Sequence, residues 1–515
     1  MNPIYIVIFI IYFGFIIWTS LRSLKKVESM EDFTVGGNKM GLFLGVGTSI
    51  ATWVSVATVM GVPGNLYSRG LSAVVGWVAG WFFATALMPL IAYKIRFPEV
   101  PTRTFPEFMR LRYEPKEKTS PMQLIVALIM LIGYFIFSYI QIQGFGIVFS
   151  SITGLKYEYS VFFFLAILIF TCLGGFMSVA ATDTLNAFFI FIGVTVTAVT
   201  VMSVTGGLGP IMETIRTTTA PNIEGGPPLQ AGILATPLGT FGFSALASIF
   251  LSNSLGAAVA PHWVTRFMAP KNAKAAALQM TIALFLLVLI FIPIIIIGLG
   301  AKTIIPSLPA GRTTDYIFPV LVMQYCHPII GALALTGLMA AAVSTANSML
   351  LHCSTSLVYD ITRQLKKGAY TKADNEKITR QLRAVILTLG LLAVICAIRP
   401  FTLLAMGFTY VYGAFGGAFF VPVVLGITWK RMNRVGAYAG MISGMAGYII
   451  AMVNATPIPP FLVAAGISLV CTLVAVLATP KPPLEAYESF FEPNISESTR
   501  QTVQIIQRDL DDTRH

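Results

Sequence analysis

Met60-Gly-Val-Pro-Gly64 lies inside an apolar run of about 42 to 66, and the reading of this pentapeptide decides the architecture. An uninterrupted run of that length is one membrane-spanning helix. Pro63 has no amide hydrogen to donate, and Gly61 and Gly64 relax the backbone beside it, so the helix is expected to break near mid-membrane. Unwound backbone survives at that depth only where protein or a water-filled cavity takes its amides and carbonyls. A softer interruption, Asn253-Ser-Leu-Gly-Ala-Ala-Val-Ala-Pro261, falls in another run of about 240 to 263. Broken helices at corresponding positions of two inverted repeats are a common plan of secondary carriers, with the transported species held between the breaks.

Working outward, the 515 residues are 56% hydrophobic and 11% charged, against roughly 25% charged in soluble domains. An ordinary globular enzyme is excluded. The apolar runs have the length of spanning helices rather than of outer-membrane strands, which predicts an all-α polytopic membrane protein. Thirteen spans are expected. The first six cover about 4 to 20, 42 to 66, 72 to 93, 122 to 150, 158 to 175 and 177 to 205. The remaining seven cover about 240 to 263, 277 to 300, 328 to 358, 384 to 398, 401 to 428, 435 to 453 and 460 to 479. Spans two to six and seven to eleven form two five-helix repeats, about 42–205 and 240–428, within one transmembrane unit of residues 1–479. Residues 480–515 are expected to be a solvated cytoplasmic tail, with Arg500, Arg508, Asp509 and Asp511 given no role.

Lysine and arginine set the orientation, because cytoplasmic loops keep excess positive charge. With the N-terminus outside and the C-terminus inside, 28 of the 34 fall on the inner side. The outer six are Arg69, Lys156, Arg216, Lys302, Arg312 and Arg399. This sidedness, rather than nucleic-acid binding, accounts for the net charge of +12. The first run lacks a basic leader and a small-residue cleavage site before Arg22, so it is expected to remain in the mature chain. The five cysteines form no CxxC pair and the four histidines no metal-ligand spacing, and both read as packing residues.

Two intramembrane stretches carry chemistry. Gly337-Leu-Met-Ala-Ala-Ala-Val-Ser-Thr-Ala-Asn-Ser-Met-Leu350 places the hydroxyls of Ser344 and Thr345 deep in the ninth run. Small residues let another backbone approach, and hydroxyl oxygens suit a hard cation stripped of water; the alternative is a tight helix contact with each hydroxyl on its own i−4 carbonyl. Asp183 lies a few residues into the sixth run, with Asn186 on the same face. An intramembrane carboxylate costs roughly 2.5–3.5 kcal/mol, so it belongs either to a transport pathway or to a side chain snorkelling to water. Nucleotide-binding, GxSxG and HExxH motifs are all missing, which leaves ATP-driven transport and intramembrane hydrolysis without support within this chain and points to an ion gradient as the energy source.

Four local patterns then coincide with a known family. Phe33-Thr-Val-Gly-Gly37, Gly174 to Asn186 (GGxxAVxxTDxxQ), Pro261-His-Trp-Val-Thr-Arg266 (PHxxxR) and Ala340 to Thr345 (AAxxST) occur in its order. Over about 450 residues the chain resembles a sodium:solute symporter. The resemblance implies a LeuT-type 5+5 inverted-repeat core, alternating access, and Na+ as coupling ion with no organic cofactor. Its principal sodium site maps onto the carbonyls of Ala51, Val54 and Ala341 and the hydroxyls of Ser344 and Thr345. A second site nearer the cytoplasm, found in some members, maps onto Asp183, Ser344 and Ser348, although Asn347 replaces a serine there.

The solute pocket is expected around Ser55, Thr58, Gly61, Asn253 and Ala257. The proline-transporting branch carries an aspartate where this chain has Trp53, a glutamine where it has Asn186, and two aromatics where it has Asn253 and Ala257. Ala51 to Tyr67 instead resembles the branch for pantothenate and monocarboxylates, ATxxSASxxxGxPGxxY. The expectation is a multi-pass cell-membrane symporter of a small organic acid. A proline or other amino-acid symporter, a proton-coupled carrier and a membrane solute sensor are the alternatives.

Overall fold

The computed structural model describes residues 3–23, 40–97, 102–117, 119–171, 175–219, 230–308, 311–366, 372–454 and 458–503. Among them the chain is helical throughout, with one isolated bridge between Met40 and Pro270. In chain order the helices that position the site are α1 (Pro3–Ser23), α2 (Leu42–Trp53), α3 (Ala57–Arg69), α4 (Leu71–Arg96) and α5 (Phe105–Tyr113). There follow α6 (Pro121–Thr153), α7 (Phe162–Thr171), α8 (Gly175–Thr205), α9 (Leu208–Thr217), α10 (Gly242–Leu251) and α11 (Pro261–Met268). The last are α12 (Ala273–Ile304), α13 (Ile317–Tyr325), α14 (Pro328–Thr355), α15 (Lys372–Ala397), α16 (Leu404–Thr428), α17 (Arg434–Val453), α18 (Pro460–Ala478) and α19 (Leu484–Phe491).

Ten described helical stretches are long and apolar enough to cross a bilayer, eleven with α2 and α3 counted as one bent span. Pro3–Trp18 and Tyr157–Ile169 are shorter apolar helices. Each of the thirteen expected runs overlaps described helical residues, the second divided between α2 and α3 and the seventh between α10 and α11. Side chains such as Ile132, Phe285 and Val470 are more than 60% exposed on different helices, as an apolar surface against lipid requires. The interior is built by α6 against α14, α8 against α14, α12 and α2, and α16 against α6, α17 and α18.

The second span does break, but not at the Gly-Pro pentapeptide. The backbone leaves helical geometry at Val54 (φ −94, ψ 69), and α2 and α3 meet at 45°. Met60, Gly61, Val62, Pro63 and Gly64 are all helical. The reason is a wide π turn, Ala57–Gly61, closed by the Val62 amide on the Ala57 carbonyl. It puts Pro63 in the first turn of the α-helical stretch that follows, where a missing N–H costs little. Gly61 serves close approach instead: a Cβ there would lie 2.7 Å from the Ala405 nitrogen of α16. In the seventh span α10 widens into a second π turn, Ser252–Gly256, and the break comes at Ala260 (ψ 133), immediately before Pro261, as the sequence indicates.

That second π turn rests directly on α16. A Cβ on Gly256 would sit 2.1 Å from the Tyr412 carbonyl oxygen, which is backbone and cannot swing aside. Gly256→Ala is therefore expected to push α16 off the broken span and lower stability by about 1–3 kcal/mol, read as a fall in thermal unfolding temperature of the purified protein.

The start of the expected tail is not a solvated segment. α19 docks on α5: Ala486 and Phe490 are buried, and the Phe490 and Phe108 rings lie 5.6 Å apart. Arg112, 1% exposed, donates to the carbonyls of Gly426 (2.7 Å), Met432 (3.0 Å) and Ala486 (3.3 Å), pinning α19 to the end of α16 and to the turn that follows it. A buried guanidinium needs acceptors, and the tail supplies one of them. Arg508, Asp509 and Asp511 lie outside the described residues.

Candidate functional site

At the break, helical hydrogen bonding runs out in a specific way. The Val54 amide closes the last bond on the Ile50 carbonyl, and the Thr58 hydroxyl reaches back to the Trp53 carbonyl. The turn at Val54 carries the next amides away, so the carbonyls of Ala51 and Thr52 lose the partners a continuing helix would give them. Ala51, Val54 and their neighbours are buried. The sequence reading expected carbonyl ligands from Ala51 and Val54, and Ala51 is one of the two freed here.

On α14, Ala341, Ser344, Thr345 and Ser348 occupy successive turns of a helix that is buried almost throughout. The link to the broken span is Asp183 on α8. Its Oδ1 accepts a hydrogen bond from the Ser344 hydroxyl, and its Oδ2 accepts one from Thr48 of α2 at 2.9 Å. One carboxylate thus ties α2 to α14. Asp183 is 4% exposed, which disposes of the snorkelling alternative. Asn186, one turn on, accepts from the Tyr12 hydroxyl of α1.

The countercharge comes from Arg266 on α11. Its Nη2 lies 3.7 Å from Asp183 Oδ2, and both side chains are almost wholly buried. At that distance the contact is an ion pair without a hydrogen bond. Arg266 Nη1 donates to the His262 carbonyl at 3.2 Å, while its Nε is buried with no partner. The Gln279 amide of α12 donates to the Arg266 carbonyl at 3.1 Å and fixes the end of α11. Gly47 allows the approach that all this needs, since a Cβ there would fall 2.2 Å from the Thr184 hydroxyl of α8.

The residues expected around the solute behave less uniformly. Ser55 Oγ and Trp53 Nε1 are buried without partners. The Trp53 ring packs on Trp263 (4.9 Å between centroids) and Trp81 (5.8 Å), an indole stack across α2, α11 and α4. Thr58 is spent on the Trp53 carbonyl, and Gly61 on contact with α16. Asn253 is engaged on both amide atoms: its Oδ1 accepts from Trp81 Nε1 (2.9 Å), and its Nδ2 donates to the Ile249 carbonyl (2.9 Å) and Thr409 Oγ1 (3.1 Å). Ala257 is fully buried beside it. Asn253 and Ala257 therefore hold the π turn against α4 and α16 in this conformation.

Three of the four sequence patterns meet at this one place, through Asp183, Arg266 and Ser344; Phe33–Gly37, and Gly174 within the second pattern, lie outside the described residues. The comparison with protein families agrees, a family model matching residues 33–444. The chain belongs to the sodium:solute symporter family. Among symporter relatives, it is 25% identical to the osmoregulated proline transporter OpuE of Bacillus subtilis (strain 168), over 93% of this chain and 96% of that one. It is 27% identical to a sodium/pantothenate symporter of Haemophilus influenzae, over 86% and 89%. A solved sodium-coupled sialic acid symporter, in a substrate-bound outward-open state, superposes with a TM-score of 0.76 at 19% identity, over 93% and 98% of the two chains. The LeuT-type, all-helical, multi-pass membrane fold of this symporter follows, and its relatives are transporters rather than enzymes.

Sequence reasoning missed Thr48 and left Arg266 as a motif letter without a role. The signal was present. Asp183, a carboxylate inside a run, is expensive alone and calls for a countercharge, although Arg266 falls just past the end of the seventh run and reads as a loop charge.

Proposed function

We propose that this symporter moves a small organic acid, a monocarboxylate or pantothenate-like anion, inward across the cell membrane with Na+. In this reading thirteen spans carry the N-terminus outside and the C-terminus inside. The single observation that supports it best is the convergence of α2, α8, α11 and α14 on Asp183. The carbonyls of Ala51, Val54 and Ala341 with the hydroxyls of Ser344 and Thr345 hold the principal sodium. Asp183 with Ser344 and Ser348 offers the second, so that Ser344 serves both inner sites. The species held is a hard cation, and these neutral oxygens, with one carboxylate a helix turn away, are the donors it prefers.

Coupling follows from differential affinity: sodium between α2 and α14 favours the arrangement in which Ser55 and Trp53 face solute from outside. The unpartnered hydroxyl and indole N–H are donors, which suits a carboxylate. Energetics bear on stoichiometry. One charge crossing 100 mV releases about 2.3 kcal/mol, and a tenfold sodium gradient adds about 1.4 kcal/mol. A monoanion carried with one sodium forfeits the electrical part, leaving about tenfold accumulation. A second sodium restores it.

A proline-like amino acid is the second reading, favoured by the proline transporters among the relatives. Proteoliposomes with sodium, proton and electrical gradients imposed separately distinguish these. The expected result is monocarboxylate uptake driven by sodium, stimulated by an inside-negative potential, and untouched by excess L-proline. Uptake driven by a proton gradient without sodium overturns the coupling assignment, and sodium-driven proline uptake transfers the substrate assignment to the second reading.

A further inference from the structure

A second buried carboxylate stands well apart from Asp183. Asp315, 1% exposed, lies in the loop between α12 and α13. Its Oδ2 accepts from the Leu404 amide, the first residue of α16, at 3.2 Å. Its Oδ1 is buried without a hydrogen-bond partner, and no described lysine, arginine or histidine forms an ion pair with it. The α16 N-terminus offsets about half a charge at most. Burial pushes the Asp315 carboxyl up to about 7, with the Leu404 amide pulling the other way.

The neighbouring oxygens share the same deficit. Thr314 Oγ1, Asn65 Oδ1 and Gln143 Oε1 are all buried without partners. Each belongs to a segment fastened near the start of α16. Thr314 packs on Gly64, whose Cβ position lies 3.1 Å from Thr314 Oγ1, and Gly61 packs on Ala405. Gln143 Nε2 donates to the Thr402 carbonyl at 3.0 Å, and the Tyr139 hydroxyl takes the Phe401 amide at 2.9 Å. A helix cap needs only Asp315 Oδ2 and explains none of the rest. Buried acceptors in such number are costly unless something supplies positive charge.

We propose that Asp315, with Thr314, Asn65 and Gln143, forms an outer binding site for a monovalent hard cation, Na+, separate from the Ser344–Thr345 site. One carboxylate among neutral oxygens balances a single charge and not two. The site lies on the outer half of the bundle, a sidedness that rests on the lysine and arginine reading. It gives sodium a station where α3, α6 and α16 meet, before the break between α2 and α3.

The test is equilibrium binding of radioactive sodium to purified protein in nanodiscs, without solute, with choline replacing sodium as blank. Asp315→Asn keeps an oxygen for the Leu404 amide and removes the charge. It is expected to lose one bound sodium per protein at saturation. Ser344→Ala/Thr345→Ala retains one sodium, and adding Asp315→Asn removes it. Thr314→Val, isosteric and without consequence for the cap, keeps the stoichiometry and shifts the outer midpoint to higher sodium. Asp315→Asn and Thr314→Val both binding as wild type overturns the proposal. Unchanged binding in Ser344→Ala/Thr345→Ala instead overturns the inner-site reading and leaves Asp315 to be judged by its own variant.

Discussion

Replacing Ser344 and Thr345 together with alanine is expected to reduce uptake in the presence of sodium to its sodium-free level. The two hydroxyls are the only side-chain oxygens in the proposed principal site, whose other ligands are carbonyls that mutation cannot remove. Contacts to a charged partner contribute about 1.5–3 kcal/mol each, so losing both shifts the sodium midpoint by about two to four decades. Folding is expected to survive. Alanine conserves the small-residue face by which α14 packs on α8 and α6, and Thr48 and Arg266 still hold Asp183. The readout is solute uptake against sodium concentration in proteoliposomes, with the thermal unfolding temperature as the control. Full sodium dependence in a correctly folded double variant would falsify the assignment.

Much of this architecture is legible in the chain because the bilayer leaves few choices. A run of about 20 apolar residues must be a helix, so run limits and the described helix limits agree closely. The break was legible in kind and not in place. Gly61, Pro63 and Gly64 announce an interruption, yet a π turn accommodates the proline and the chain yields at Val54, a residue with no breaking propensity of its own. What decides it is tertiary: the Thr58 hydroxyl replaces a lost amide at the Trp53 carbonyl, and α16 sits against Gly61. The setting of Asn253 was hidden from the sequence for a related reason. Its chemistry suggests recognition, but in this conformation Trp81 and Thr409, distant in sequence, engage its amide. Likewise α19 reads as a polar tail until the buried donors of Arg112 are counted.

Asp183 is the residue at which stability and coupling have to be separated, and substitution of its partner does so. Asp183→Asn leaves Arg266 as an uncompensated buried cation, and breaking such a pair costs about 3–5 kcal/mol. A large fall in unfolding temperature is expected, with a sodium response that is weaker and less steep. Alone, that result does not distinguish a structural ion pair from an ion ligand. Arg266→Gln in the Asp183→Asn background removes the stranded charge while keeping an amide near the His262 carbonyl that Arg266 now holds. Replacement of a buried pair by neutral groups is often close to neutral, so most of the stability is expected to return. The sodium response is not: the carboxylate that accepts from Ser344 and Thr48, and so ties α14 to α2, is still gone. Recovery of both stability and a wild-type sodium titration in the double variant makes Asp183 a structural residue only. Recovery of stability with a shallow titration makes it part of the coupling machinery, because the one property left unrepaired is the negative charge between α2 and α14.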